Sequence, residues 1–243
     1  MLVAGDVKAA ELLPKLRAAY GDWKARPLPP LKKKPVAATA ELREHVGWDA
    51  DVAPLAWVAY RMPAFKPGTK GSAAAQLLSE LLVSPAAPLY KKLRYEKQTV
   101  SELGFDEGSQ GFESFEPRHL IASAQLYKEK FKGAESFDET VADLIAGFDE
   151  LKSFSKTPGA AALLKTIKSK YRYDFLAALI SPEKVASTLS WYYRFDRDPA
   201  ALDTMLAAVD ALTPEDIDAF AAERFRPENR IVLTLAQKKE AAR

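Results

Sequence analysis

The feature that most constrains the fold is a change in apolar periodicity partway along the chain. In "RHLIASAQLY", residues 118–127, leucine or alanine occupies every second position, which is the period of a strand with one apolar face. From Ser136 onward the apolar residues recur at spacings of three and four, as in Val141, Leu144 and Phe148, which indicates amphipathic helices. This order predicts an α+β fold, with an antiparallel sheet backed by helices on one face.

The remaining elements follow from the same two periods and from helix boundary signals. A leading strand at Leu2 and Val3 and a helix through Tyr20 come first, and "NRIVLTLA" closes the chain as a strand. "TPED", beginning at Thr213, is a typical helix start, with an N-cap threonine, a proline and an acid three residues on. Strands are predicted at residues 41–45, 55–60, 100–105 and 118–127, and helices are predicted to begin at Ser72 and to end at Arg94.

These elements divide the chain into four segments. Residues 1–24 form a leading strand–helix element, and residues 25–38, rich in proline and lysine, form a semi-rigid linker. Residues 39–237 form the main α+β domain, and residues 238–243 form a tail.

The amino-acid composition excludes several kinds of functional site. None of its 243 residues is cysteine, which excludes disulfide scaffolds, thiolate nucleophiles and iron–sulfur clusters. The only histidines are His45 and His119, a poor supply for a metal site or a catalytic triad. The net charge of +2 predicts no attraction to nucleic acid or membrane, and no apolar run reaches the ~18 residues of a membrane span. The start "MLVAGDV" lacks the basic and long apolar regions of a signal peptide.

Three stretches, in this order, resemble the peptidase M16 family, the pitrilysin, insulinase and mitochondrial-processing-peptidase group. "LVAGDVKAAELLPKLRAAYGDW" is similar to the strand–helix element that closes the metal-bearing part, and "AAQLLSELLVSPAAPLYKKLRYEKQ" to the helix pair of the following, non-metal half. "ALTPEDIDAFAAERFRPENRIVLTL" resembles the closing helix and strand. The resemblance implies the M16 metallopeptidase architecture, with residues 39–237 as a C-terminal-type domain.

The metal-binding motif of that family is absent from the chain. Active members bind zinc through H-x-x-E-H, which places both histidines on one helix face with a glutamate that activates water. Here Glu44 precedes His45 with no second histidine nearby, and His119 stands alone beside Arg118. We expect no metal ligands, no catalytic residues and no cofactor in this chain, and we expect the zinc in a partner half.

The resemblance implies one candidate site residue in this chain. In active relatives the non-metal half supplies an arginine that helps hold the substrate backbone and, seven residues later, a tyrosine placed to stabilise the oxyanion. Arg94 matches the arginine and is a candidate substrate-binding residue. Ser101 replaces the tyrosine, and its hydroxyl is too short to reach the same point. Tyr95 points about 100° round a helix from Arg94 and is no substitute.

Two other interpretations of Arg94 are compatible with the sequence. It ends a predicted helix, where a cation complements the helix dipole. It could also form a structural ion pair with Glu96, Glu102 or Asp106.

The resemblance implies a non-catalytic half that forms the substrate-chamber wall opposite a metal-bearing half, which hydrolyses peptides. Its partners would be that half and an extended peptide, bound by strand addition. The metal-bearing half could belong to the same original polypeptide or to a separate subunit, and the abrupt start at Met1 favours a fragment.

Two other functions are compatible with the sequence. The chain could be a catalytically inactive M16-like subunit with a structural or assembly role. It could also be an unrelated binding module, which predicts that the first and last strands lie in different sheets. Relatives occupy the periplasm, the cytosol and organelles, so the compartment stays open.

Overall fold

The computed structural model describes residues 2–24, 26–27, 40–106 and 113–238. Within these residues five strands form one sheet in the order β1-β5-β2-β4-β3. The strands are β1 Leu42–Trp48, β2 Leu55–Met62, β3 Val100–Asp106, β4 Arg118–Leu126 and β5 Arg230–Gln237. The predicted strands of the main domain are thereby confirmed, to within three residues at each end.

The sheet differs in one pairing from a purely antiparallel one. β2 pairs antiparallel with β4 and β5, and β3 pairs antiparallel with β4, but β1 and β5 run parallel. The reason is topological: β1 and β2 run in opposite directions, and β5 lies between them. A strand inserted between two opposed strands must be parallel to one of them.

The described helices agree with the predicted order. They are α1 Ala9–Tyr20, α2 Lys70–Gln76, α3 Leu78–Leu82, α4 Pro88–Tyr90, α5 Ala134–Glu150, α6 Ala160–Ala178, α7 Pro182–Asp196, α8 Ala201–Asp210 and α9 Pro214–Arg224. The helix start at Thr213 is confirmed as a capping box with Asp216. The helix predicted at Ser72 begins at Lys70, because Thr69 caps it. None of the helices in the described ranges is long and apolar enough to cross a membrane.

The two faces of the sheet have different surroundings. The alternating residues of β4 that were predicted to form an apolar face are all buried, as are Ala56, Val58 and Tyr60 of β2. We call this side the inner sheet face. Tyr60 packs there against Phe148 of α5, with ring centroids 4.8 Å apart. Burial of an aromatic side chain of this size stabilises the fold by about 1.5–3 kcal/mol, so the inner face and its helices form the core.

The leading strand predicted at Leu2 and Val3 is wrong. Residues 2–8 are described and contain no strand, since none of the strands in the described chain pairs with them. An extended segment without a neighbour cannot satisfy its backbone hydrogen bonds as a strand. Most of the predicted linker, residues 25 and 28–38, lies outside the described residues, as does the tail beyond Lys238. The division into four segments therefore stays a prediction.

Candidate functional site

Arg94 lies in a π-helical turn, Lys91–Glu96, that continues directly from α4. The Lys97 N–H donates to the Lys92 carbonyl over 2.9 Å, a bond across five residues rather than four. Leu93 is fully buried and fixes the turn to the core. Since π-helical turns are rare and frequently occur at functional sites, the local backbone supports Arg94 as a site candidate.

The guanidinium of Arg94 joins this turn to the edge of the sheet. Its Nη1 donates to the Val100 carbonyl over 2.7 Å and to the Tyr127 hydroxyl over 3.1 Å. Hydrogen bonds to the hydroxyls of Tyr90 and Tyr127 raise the pKa of Arg94 above its ordinary value. The side chain is partly exposed, so this permanently charged group lies at the surface beside β3.

The structure bears differently on the two structural interpretations of Arg94, the ion pair and the cation at a helix end. Within the described residues it forms no ion pair with Glu96 or Glu102, because the guanidinium turns toward Val100 and the phenols; the side chain of Asp106 lies outside them. Arg94 does occupy the last turn of its helical segment, as predicted. Its bonded carbonyl belongs to β3 and not to the helix, however. The substrate-binding interpretation stays a prediction.

Ser101 is held on the sheet and is not free to face a ligand. It lies at a β-bulge, where the pairing register shifts between Val100 and Glu102. Its Oγ donates to the Gln125 carbonyl over 3.0 Å and accepts from Gln125 Nε2 over 3.1 Å. The hydroxyl that replaces the expected tyrosine therefore cross-links β3 to β4.

Sequence reasoning missed the two phenols that contact Arg94. Tyr90 lies four residues before Arg94, so helical spacing alone could have indicated it. Tyr127 is placed by the β3–β4 pairing, in which its N–H donates to the Thr99 carbonyl over 3.1 Å. No local pattern indicates that contact. Tyr95 is 59% exposed and packs edge-on against Tyr90, so its hydroxyl takes no part in this cluster.

The two histidines lie too far apart to share a metal ion. His45 Nδ1 lies 2.8 Å from Thr234 Oγ1, toward the inner sheet face. His119 lies on the opposite face of β4, three strands away, which is roughly 14 Å at ~4.8 Å per strand. Partial burial and the charges of Arg61 and Arg118 hold the pKa of His119 below its ordinary value.

The part of the chain that the structure describes contains no group of three or more His, Asp or Glu side chains able to hold a metal. We therefore assign no zinc site to the described residues, and the zinc expected in a partner half stays a prediction. What this arrangement offers chemically is a fixed cation and two phenols beside a strand edge, which can donate hydrogen bonds to carbonyl or carboxylate oxygens.

The sequence matches the family described as the peptidase M16 inactive domain over residues 1–156. A comparison with curated proteins gave no match.

Solved structures show the same fold. A protease from Helicobacter pylori superposes with a TM-score of 0.79 at 20% identity, covering 96% of this chain and 53% of that one. A peptidase M16 inactive domain from Pseudomonas fluorescens gives 0.68 at 14%, covering 96% and 53%. The ferredoxin protease FusC in complex with Arabidopsis ferredoxin gives 0.66 at 17%, covering 96% and 24%. The chain thus spans about half the length of the first two and a quarter of the third.

Proposed function

This chain belongs to the peptidase M16 family, among its inactive domains, and from that premise we propose that it is the non-catalytic half of a zinc-dependent peptidase. Its role is to form one wall of a substrate chamber, opposite a metal-bearing half that hydrolyses the peptide. The metal-bearing half belongs to the same parent polypeptide or to a separate subunit. Zinc bound in that half would supply the hydrolytic water, and this chain would bind and orient the substrate.

The observation that carries this proposal is a second apolar side of the sheet. The outer sheet face, opposite the inner one, consists of half-buried apolar side chains on the three central strands: Leu55, Trp57, Ile121, Ile231, Leu233 and Leu235. Leu42 and Trp48 of β1 extend it and are 45% and 50% exposed. Contiguous apolar patches on a protein surface mark interaction sites. We assign this face to the metal-bearing half, in keeping with the length of the longer M16-like chains.

Helix α1 supports the same assignment. None of its residues is buried, so in the described part of the chain it lacks the core contacts that the other long helices make. Several apolar side chains of this region are exposed, Leu13 by 49% and Trp23 by 76%. An amphipathic helix gains most of its stability from burying one face. Contact with a second M16 half would supply that burial.

Substrate binding is assigned to the β3 edge next to Arg94. Of the five described strands, β1 and β3 lie at the edges, and an edge strand leaves backbone N–H and C=O groups for an added strand. Arg94 and its two phenols lie beside β3 and could donate to the carbonyl oxygens of an extended peptide. Main-chain pairing of this kind tolerates many sequences. The FusC complex, which contains a protein bound to a protease of this fold, supports a protein or peptide substrate.

A catalytically inactive subunit with a structural or assembly role is the second candidate. The Ser101–Gln125 cross-link favours it, because the hydroxyl that stands in the expected tyrosine position is already bonded within the sheet. In that case the outer sheet face would still bind a partner, but no peptide would be cut.

The test is reconstitution with the metal-bearing M16 half encoded upstream in frame or in a neighbouring gene. Association is measured by analytical ultracentrifugation, and cleavage with an unstructured fluorogenic peptide. We expect the pair to associate and to cut, with a chelator abolishing cleavage, and each half alone to be inactive. Association without cleavage would favour the assembly role. Chelator-sensitive cleavage by this chain alone would refute both.

A further inference from the structure

We propose that Asp143 is a positioning residue for Arg94, acting through two lysines of the π-helical turn. Asp143 lies on α5, and its side chain is only 9% exposed. Its Oδ1 lies 2.8 Å from Lys92 Nζ and its Oδ2 lies 2.5 Å from Lys97 Nζ. The inference rests on the proposed function, because it concerns the orientation of the Arg94 guanidinium, to which that function assigns substrate binding.

The two ion pairs of Asp143, with Lys92 and with Lys97, fit a π-helical turn better than an α-helical turn. In an α-helix, residues five apart point about 140° away from each other, so the two lysine side chains would start in different directions and converge poorly on one carboxylate. In the observed turn the backbone bond from the Lys97 N–H to the Lys92 carbonyl spans five residues and brings the two side chains to the same face. The backbone bond and the carboxylate of Asp143 therefore link the same two residues.

Electrostatics make the carboxylate necessary for this arrangement. Lys92 and Lys97 are 42% and 38% exposed, so each could extend into water if nothing held it. Two ammonium groups that meet at one point repel each other, and the Asp143 carboxylate offsets that repulsion. A nearly buried carboxylate, for its part, requires paired charges to offset its lost hydration. The three groups are thus mutually dependent.

Arg94 lies between Lys92 and Lys97, the two lysines paired with Asp143, so the conformation of the turn sets the direction of its guanidinium. The π turn places Arg94 where it reaches both Val100 and Tyr127. Relaxation to an α turn would change the number of residues per turn and rotate everything after the change by about 100°. The guanidinium would then no longer be directed at the Val100 carbonyl on β3.

The experiment compares Asp143→Asn, which has the same shape without the charge, with the control Asp149→Asn. Asp149 lies on the same helix, is 46% exposed and pairs with Lys152. In the full chain, amide hydrogen exchange of residues 92–100 and the Arg94 Nε–Hε NMR signal are measured. We expect about tenfold faster exchange and a shifted Arg94 signal in Asp143→Asn, and neither change in the control.

Peptide affinity of the reconstituted pair is measured in a double-mutant cycle with Arg94→Ala. We expect Asp143→Asn to weaken binding in the parent and to have no further effect when Arg94 is already alanine. Additive effects, or an unchanged Arg94 signal in Asp143→Asn, would overturn the positioning role. If Arg94→Ala alone leaves affinity unchanged, the assignment of substrate to Arg94 fails. The exchange and NMR data then still decide whether Asp143 holds the turn.

Discussion

Arg94 and Tyr127 lie 33 residues apart in the chain, yet the guanidinium Nη1 of Arg94 donates to the phenol oxygen of Tyr127 over 3.1 Å. The same Nη1 bonds the Val100 carbonyl, so one side chain ties the π-helical turn to the edge of the sheet. A cation fixed in this way has little side-chain entropy left to lose on binding, which is what the proposed peptide-binding role of Arg94 requires.

Replacement of Arg94 by alanine tests its assigned role. We expect Arg94→Ala to lower peptide cleavage by the reconstituted pair about tenfold or more, since a preorganised charged donor is lost. The free energy of unfolding should fall by about 1–2 kcal/mol, from the lost hydrogen bonds of a charged group. Lys91→Ala, an exposed position on the same turn, is the control. Equal turnover in both variants would leave Arg94 with a structural role alone.

The hydroxyl of Tyr127 can be removed without its ring. Tyr127→Phe should lower the free energy of unfolding by about 0.5–1.5 kcal/mol, because Arg94 loses an acceptor in a partly buried site. Tyr95→Phe should change it by less than about 0.5 kcal/mol, since surface substitutions without buried partners are nearly neutral. Urea unfolding of both variants checks this. A larger loss in Tyr95→Phe would contradict the described geometry.

The outer sheet face can be tested apart from the site. Leu233→Thr keeps a strand-forming residue and reduces apolar area at the centre of that face. We expect association with the metal-bearing half to weaken about tenfold, with a small change in the stability of this chain. Leu163→Ser, on the exposed side of α6, should leave association unchanged. Weakening by the α6 variant instead would place the partner elsewhere.

Zinc should have no effect on this chain alone. The pairing of His45 with Thr234, and its separation from His119, leave no site in the described residues where three ligands converge. We therefore expect unchanged thermal unfolding on zinc addition, by calorimetry, and no high-affinity binding. Nanomolar zinc binding that is lost in His45→Ala would refute this prediction.

The capping box of α9 predicts a pH dependence. Partial burial opposes ionisation of Asp216, but Lys70 Nζ at 2.6 Å and the Thr213 N–H at 2.9 Å outweigh it and hold its pKa below the ordinary 3.8. A depressed folded pKa contributes stability that is present above about pH 4 and is lost as the pH falls through the folded value.

Asp216→Asn should therefore cost about 0.5–1 kcal/mol near pH 7. The difference between parent and variant should shrink as the pH falls through the lowered folded pKa of Asp216, where the parent carboxylate is protonated as well. Urea unfolding near pH 7 and below that pKa measures it. A difference that stays constant with pH would show that the charge of Asp216 contributes nothing.

Much of the secondary structure could be predicted because it depends on local spacing. The alternation of Leu120, Ala122, Ala124 and Leu126 determined which face of β4 is buried, and the threonine–proline start determined where α9 begins. Leu2 and Val3 show the limit of such patterns. Apolar residues before a turn favour a strand, but a strand forms only where a neighbour accepts its hydrogen bonds.

The sequence by itself determined the α+β class, the absence of cysteine chemistry, the shortage of histidine ligands and the presence of an arginine at the end of a predicted helix. Only the tertiary structure decided that β1 and β5 run parallel, that Ser101 is bonded to Gln125, that Arg94 donates to Tyr127 and that Asp143 pairs with Lys92 and Lys97. The physical reason is the sequence separation over which each kind of interaction acts. Periodicity and capping act over a few neighbouring residues, whereas strand order and hydrogen bonds between elements depend on which distant segments the fold brings into contact.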